Sequence, residues 1–138
     1  MSAGLFGTVE MQMLFCAIVL GIVQLLLATL ASVSGRGMPW GIGPRDEGWP
    51  PLGKYAARLE RAWKNFIETF PLFAAAVLLA HALDKHTSSS ALGAQIYFWA
   101  RVLYVPAYVI AIPFTRTLIW TASLVGIAMV LRAVWPGW

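Results

Sequence analysis

The chain has 138 residues, of which 59% are hydrophobic and only 12% charged, with a formal net charge of +4. Soluble domains carry about a quarter charged residues, and disordered chains combine high charge with low hydrophobicity, so both classes are excluded. The apolar residues gather in four blocks, each near the ~20 residues that a helix needs to cross a bilayer. This pattern predicts an all-α integral membrane protein, a four-transmembrane-helix bundle forming one domain over residues 1–138.

The first helix is expected over about 8–33, with Gln12 and Gln24 as its strongly polar interior residues. Glu10 precedes its apolar run, Leu14 to Val33. That run exceeds a secretory signal core of roughly 7–15 residues and no Lys or Arg precedes it, so it reads as a retained helix. Cys16, the single cysteine, cannot form an internal disulfide and reads as a small apolar residue. From Ser34 to Pro44 the density of Gly and Pro predicts no helix. The loop runs on through Arg45, Asp46 and Glu47 to Pro51. The second helix, about 55–83, is polar for two turns and apolar from Phe66. Asp84 to Ser90 reads as a hydrophilic turn, with Ser88, Ser89 and Ser90 in the loop. The third helix is expected over about 91–111 with Pro106 inside it. Ile112 to Thr115 leaves room only for a tight hairpin. The fourth helix, about 116–134, ends in Trp135-Pro136-Gly137-Trp138.

Lys and Arg are shared unevenly between the two ends. Arg36, Arg45, Lys54, Arg58, Arg61 and Lys64 surround the first loop and Arg116 opens the fourth helix, against Lys85 and Arg132 at the opposite end. By the positive-inside rule this places the first and third loops in the cytoplasm and both termini outside. Trp63, Trp120, Trp135 and Trp138 fall near the expected interfaces, as aromatic belts do. The basic excess is thus a topology signal, and no basic and aromatic residues interleave as a nucleic-acid surface requires.

Ionisable residues inside a membrane helix are costly and need a reason. Glu68 lies seven residues beyond Arg61, about 10 Å deeper at 1.5 Å per residue, and Arg101 lies eleven before Ile112, about 16 Å. Their helices are antiparallel neighbours, so the two charges fall at comparable depth and are expected to pair. Alone, such a pair reads equally as a device that fixes helix register. The wider pattern favours a site. Arg61, Asn65 and Glu68 are spaced i, i+4, i+7 on one face, which Arg58 extends. Arg101, Tyr104 and Tyr108 are spaced i, i+3, i+7 on another. A seam with several cationic donors suits a small polyanionic ligand better than packing alone. Pro71 and Pro106 lie beside it and free the carbonyls of Ile67 and Val102. No metal site is expected, because His81 has no second ligand at metal spacing and His86 lies in an exposed turn. The serine run has no accompanying base, and no glycine pattern resembles a phosphate-binding loop.

The string Glu60-Arg61-Ala62-Trp63-Lys64-Asn65-Phe66-Ile67-Glu68-Thr69, with Pro71 after it, closely resembles the second-helix signature of the MAPEG superfamily, the membrane-associated proteins in eicosanoid and glutathione metabolism. Phe98 to Tyr108, with Arg101, Tyr104 and Tyr108, is similar to the family's third-helix pattern. Ile112-Pro113-Phe114-Thr115-Arg116-Thr117 is similar to the turn that opens its fourth helix. The likeness covers Arg58 to the C-terminus and, more loosely, the first helix. Gly43-Pro44-Arg45-Asp46 is similar to bacterial members, which implies a bacterial inner membrane.

The resemblance implies a homotrimer with glutathione, as co-substrate, held between neighbouring subunits near the cytoplasmic face. Carried over, Arg61, Asn65 and Glu68 would hold the tripeptide's polar groups, Tyr104 and Tyr108 would line the pocket, and Arg101 would pair with Glu68. Arg116 would be the catalytic residue beside the thiol, since a thiol titrating near ~8.5 becomes more acidic beside a guanidinium. Arg36 would be the basic residue contributed by the neighbouring subunit. Trp120 departs from the pattern, because several catalytic members carry a tyrosine there and an indole is no phenolic acid. Two functions of different class follow. One is a glutathione-dependent transferase or peroxidase acting on lipophilic electrophiles in the bilayer. The other is a non-catalytic protein of the same fold that binds a lipid or hydrophobic ligand or serves as a scaffold. A small multidrug-type transporter would need Glu68 as a membrane-centred carboxylate, and its placement beside Arg61 and Asn65 argues against that.

Overall fold

The computed structural model describes residues 7–46 and 48–136. Glu47 of the first loop and Trp138 of the expected C-terminal interface lie outside the described residues. The helices, in chain order, are α1 (Val9–Arg36), α2 (Met38–Ile42), α3 (Lys54–Ala82), α4 (Ser88–Ile110) and α5 (Thr115–Val134). Three of them, α1, α3 and α5, are long and apolar enough to cross a membrane. The fourth expected span, α4, has the length at 23 residues but carries Arg101, Gln95 and three serines, and it is not among these three.

Hydroxyl caps set two of the helix starts. Thr8 Oγ1 accepts the Met11 amide at 3.4 Å as α1 begins. At α4 the Ser90 amide donates to Thr87 Oγ1 at 3.0 Å and the Thr87 amide donates to Ser90 Oγ at 2.9 Å, a reciprocal capping box. This corrects the reading of Ser88, Ser89 and Ser90 as loop: they form the first turn of α4. Hydroxyl side chains satisfy the orphan amides of a helix start, so a serine run that looks like a loop by composition is also a good beginning for a helix.

The Gly- and Pro-rich stretch after α1 is a second correction. Expected to hold no helix, it forms the single turn α2. Pro39 sits at the start of that turn, where its missing amide is not needed, and Gly37 supplies a φ of +95° that turns the chain out of α1. Pro71 and Pro106 lie inside α3 and α4, as the sequence predicts.

The packing is inverted relative to a soluble domain. Ile22, Leu26, Leu30, Leu72 and Leu118 are exposed, whereas Ala17, Ala76, Ala80 and Ala94 fill the interior around Phe73 and Tyr97. The Phe73 and Tyr97 rings stack with centroids 4.0 Å apart, and Tyr97 Oη is hydrogen-bonded to Thr69 Oγ1 at 3.1 Å. Small residues let helix backbones come close, so van der Waals contact carries the association where lipid removes the hydrophobic driving force. The crossing of α4 and α5 shows how close. A Cβ on Gly126 would lie 2.5 Å from the Gly93 carbonyl oxygen and 2.8 Å from the Tyr97 amide nitrogen. Gly126→Val is therefore expected to destabilise the bundle by about 1–3 kcal/mol. Reversible unfolding in mixed micelles measures this, and wild-type stability in the variant would show that the crossing relaxes freely.

One end of the bundle is closed by a polar cluster. Glu10, 2% exposed, accepts a hydrogen bond from Ser90 Oγ and lies 3.4 Å from His86 Nδ1. The packing of α1 against the start of α4 creates this contact, joining residues 80 apart in the chain. The other end, where α3 begins and α4 gives way to α5, holds the site described next.

Candidate functional site

The first two turns of α3 are polar because they stand beyond its apolar stretch, and their cations point toward α4 and α5. Arg58 Nη1 donates to the Val109 carbonyl at 2.7 Å and so caps the end of α4. One turn deeper, Arg61 Nε donates to Tyr108 Oη at 3.1 Å. From α5, Arg116 Nη1 reaches the same oxygen at 3.5 Å. Both guanidiniums also stand over the Tyr108 ring, at 5.8 and 5.5 Å from its centroid. Tyr108 thus holds two like charges side by side at the mouth of the bundle.

Arg116 owes its place to the turn before it. Ala111 and Phe114 both have positive φ, at 61° and 63°, and Pro113 accepts the Thr115 amide at 2.8 Å. A left-handed conformation is uncommon for a residue as bulky as Phe114, so the turn holds local strain next to the site. No side chain caps the start of α5, which leaves its amide dipoles directed at the space beside Arg116.

These groups line a cavity of about 530 Å³ formed by Arg61, Lys64, Asn65 and Glu68 of α3, Tyr104 and Tyr108 of α4, and Arg116, Thr117 and Trp120 of α5. A second space of about 520 Å³, toward the α4–α5 turn, shares Arg61, Tyr108, Arg116 and Thr117 with it. Six residues singled out in the sequence therefore meet in one place: Arg61, Asn65, Glu68, Tyr104, Tyr108 and Arg116.

Arg101 and Arg36 do not line the cavity. Arg101 lies just behind it, fully buried, and its pairing differs from the expectation. Its Nη2 donates to Asn65 Oδ1 at 2.9 Å, and no ion pair with Glu68 forms among the described residues. The antiparallel crossing brings Arg101 level with Asn65, three residues short of Glu68, whose exposed side chain lines the cavity instead. Arg101 lies over Tyr104 at 4.3 Å and over Phe66 at 5.8 Å, while its Nε and Nη1 meet no acceptor. Ring faces thus supply the close contacts of a buried cation that makes no direct ion pair among the described residues.

Arg36 is used within its own chain. Its Nε donates to the Pro50 carbonyl at 2.9 Å, its Nη1 to Ser32 Oγ at 2.6 Å, and its Nη2 lies 3.5 Å from Glu60 Oε2. Trp40 and Trp49 flank it at 4.6 and 4.8 Å. It braces the first loop against α1 and α3.

Lys64 is the cavity residue that the sequence reading counted only toward topology. The signal was present, since Lys64 follows Arg61 by three residues and shares its side of α3. The cavity then carries Arg61, Lys64 and Arg116 against the single carboxylate of Glu68.

The MAPEG family model matches residues 13–135. The chain belongs to the MAPEG family. No curated protein matches it. Family membership and the three apolar helices together make this MAPEG protein a multi-pass membrane protein.

Proposed function

We propose that this MAPEG protein binds glutathione in the cavity between α3, α4 and α5 and uses its thiol against lipophilic electrophiles, as a transferase or peroxidase. The observation that carries the reading is the donor set. Three cations and one carboxylate, drawn from α3 and α5, line a single space of about 530 Å³, within the usual size of a small-molecule site. Glutathione presents two carboxylates, one ammonium and a thiol. Arg61 and Lys64 match the carboxylates, Glu68 matches the ammonium, and Arg116 with the uncapped start of α5 favours a thiolate. Orientation and electrostatics supply the rate, and no nucleophilic side chain is required. The family includes glutathione transferases and peroxidases among other members, which supports the assignment.

Lipophilic electrophiles would enter from the bilayer, which the apolar outer surface of the bundle borders. The unequal distribution of Lys and Arg supports an orientation with the cavity on the cytoplasmic side, and the family resemblance supports a homotrimer in a bacterial inner membrane.

Isothermal calorimetry with glutathione and the purified protein in lipid nanodiscs tests the reading. Arg61→Leu is expected to weaken binding at least about tenfold, the consequence of removing a charged hydrogen-bond partner. No binding to the unmodified protein, or equal affinity in the variant, would overturn the site. Binding without turnover would assign the chain to a ligand-holding role.

A further inference from the structure

The first loop encloses another cavity, of about 680 Å³, which shares no residue with the one between α3, α4 and α5. Its walls include Arg36, Trp40, Arg45, Asp46 and Trp49. A smaller cleft of about 140 Å³ adjoins it. Trp40, Arg45 and Trp49 line both spaces, and the cleft continues to Leu25, Ala28 and Val33 of α1 and Trp63 of α3. A polar head thus sits above an apolar tail. Leu25 is exposed beside Leu26 and Leu30, on the surface of α1 that meets lipid, so the cleft borders hydrocarbon. The three tryptophans mark the level at which bilayer headgroups lie.

The charges of the loop cavity are engaged unequally. Arg36 is held within the chain, by Glu60 Oε2 at 3.5 Å and by hydrogen bonds to Ser32 and Pro50. Arg45 makes one hydrogen bond, from Nη2 to the Gly41 carbonyl at 3.0 Å, and its guanidinium lies over the Trp40 ring at 4.4 Å. Its other donors meet no acceptor among the described residues. Asp46, the next residue, makes no hydrogen bond or ion pair among the described residues. Both residues are exposed and line the same space. One free cation and one free carboxylate therefore stand side by side, on Cα atoms about 3.8 Å apart. A purely anionic ligand would meet Asp46, and a purely cationic one would meet Arg45.

We propose that the loop cavity binds a zwitterionic phospholipid with a primary ammonium, its phosphate on Arg45, its ammonium on Asp46 and one acyl chain in the cleft along α1. An ethanolamine headgroup carries phosphate and ammonium two carbons apart, which matches side chains on adjacent residues. Both contacts are charge-assisted, the stronger class of hydrogen bond. A glycerol headgroup keeps the phosphate but offers Asp46 neutral hydroxyls in place of a charge. A choline headgroup keeps both charges, but its methylated nitrogen has no N–H to donate. The lipid fastens the first loop to the bilayer surface and takes no part in thiol chemistry. The two sites share no residue, so this inference and the glutathione reading can each fail alone.

The test is native mass spectrometry of the full chain, delipidated in detergent and titrated with dioleoyl phosphatidylethanolamine, phosphatidylglycerol and phosphatidylcholine. Phosphatidylethanolamine is expected to bind about tenfold more tightly than either of the others. Arg45→Gln should weaken it about tenfold by removing the phosphate's partner. Asp46→Asn should weaken phosphatidylethanolamine alone and bring it level with phosphatidylglycerol. Lys54→Gln removes a cation at the same end that lines neither space, and should leave all three lipids unchanged. Equal affinity for the three lipids in the unmodified protein, or tightest binding of phosphatidylglycerol, overturns the site. Equal losses from Lys54→Gln and Arg45→Gln would reduce the effect to surface charge and overturn it as well. Free phosphoethanolamine should not displace the lipid, and displacement would remove the cleft from the site. Arg45 and Asp46 are exposed, so the lipid-free variants should unfold at the unmodified temperature. Added phosphatidylethanolamine should raise that temperature only where both residues are present.

Discussion

Replacing Arg116 by methionine is expected to lower kcat/KM for glutathione conjugation by about 10²-fold, with most of the loss in kcat. The guanidinium stands on the first turn of α5, tethered by one nitrogen to Tyr108 Oη at 3.5 Å. Its side chain lines the cavity. A cation there stabilises the thiolate more than the thiol, so removing it raises the bound thiol's pKa toward the free value. The sign follows directly. Below that pKa the variant holds a smaller thiolate fraction, so its deficit is greatest at low pH and shrinks as pH rises. A kcat–pH profile in nanodiscs reads this shift. Identical profiles for the two proteins would remove Arg116 from the chemistry. Arg116→Lys keeps the charge but loses the fixed planar fork, and should fall between the two.

The second large effect concerns the cation that never reaches the cavity. Asn65→Leu takes away the one acceptor that Arg101 has among the described residues, leaving a fully buried guanidinium without that hydrogen bond. The expected loss is about 3 kcal/mol, because an unpaired buried charge costs more than the bond itself was worth. Removing the charge as well, in Asn65→Leu with Arg101→Met, should recover part of that loss, since an apolar pair needs no partner. Mixed-micelle unfolding of the single and double variants decides it. A double variant weaker than Asn65→Leu alone would show that Arg101 is held by something other than Asn65. Glu68→Gln should leave stability near the unmodified value, because Glu68 makes no ion pair among the described residues.

The two residues illustrate where sequence reasoning stops. The spacing of Arg61, Asn65 and Glu68 shows that they share a face of α3, since 3.6 residues complete a turn whatever surrounds the helix. The same arithmetic puts Arg101 near the depth of α3's polar face. It cannot separate Asn65 from Glu68, which lie less than one turn apart, about 4.5 Å along the axis. The rotation of α4 about its own axis settles that choice, and it is fixed by packing, including the Gly93–Gly126 contact with α5. Arg36 makes a similar point. Its charge, its position at the end of α1 and its i−4 neighbour Ser32 are plain in the sequence, but its contacts with Pro50 and Glu60 depend on how the first loop and α3 come back against α1.

The low proportion of charge, 12%, together with apolar blocks near the ~20 residues that cross a bilayer, points to a helical membrane protein, because hydrocarbon selects against every unneeded ion. Helix order, the two interior prolines and the family motif were equally legible, being local properties of short strings. Tertiary structure alone decided which polar residues meet. It joined Glu10 to Ser90 and His86, turned Arg101 toward Asn65 and added Lys64 to the cavity. Such contacts depend on the relative rotation of several helices, and periodicity along one chain fixes the face of each helix but not its partner.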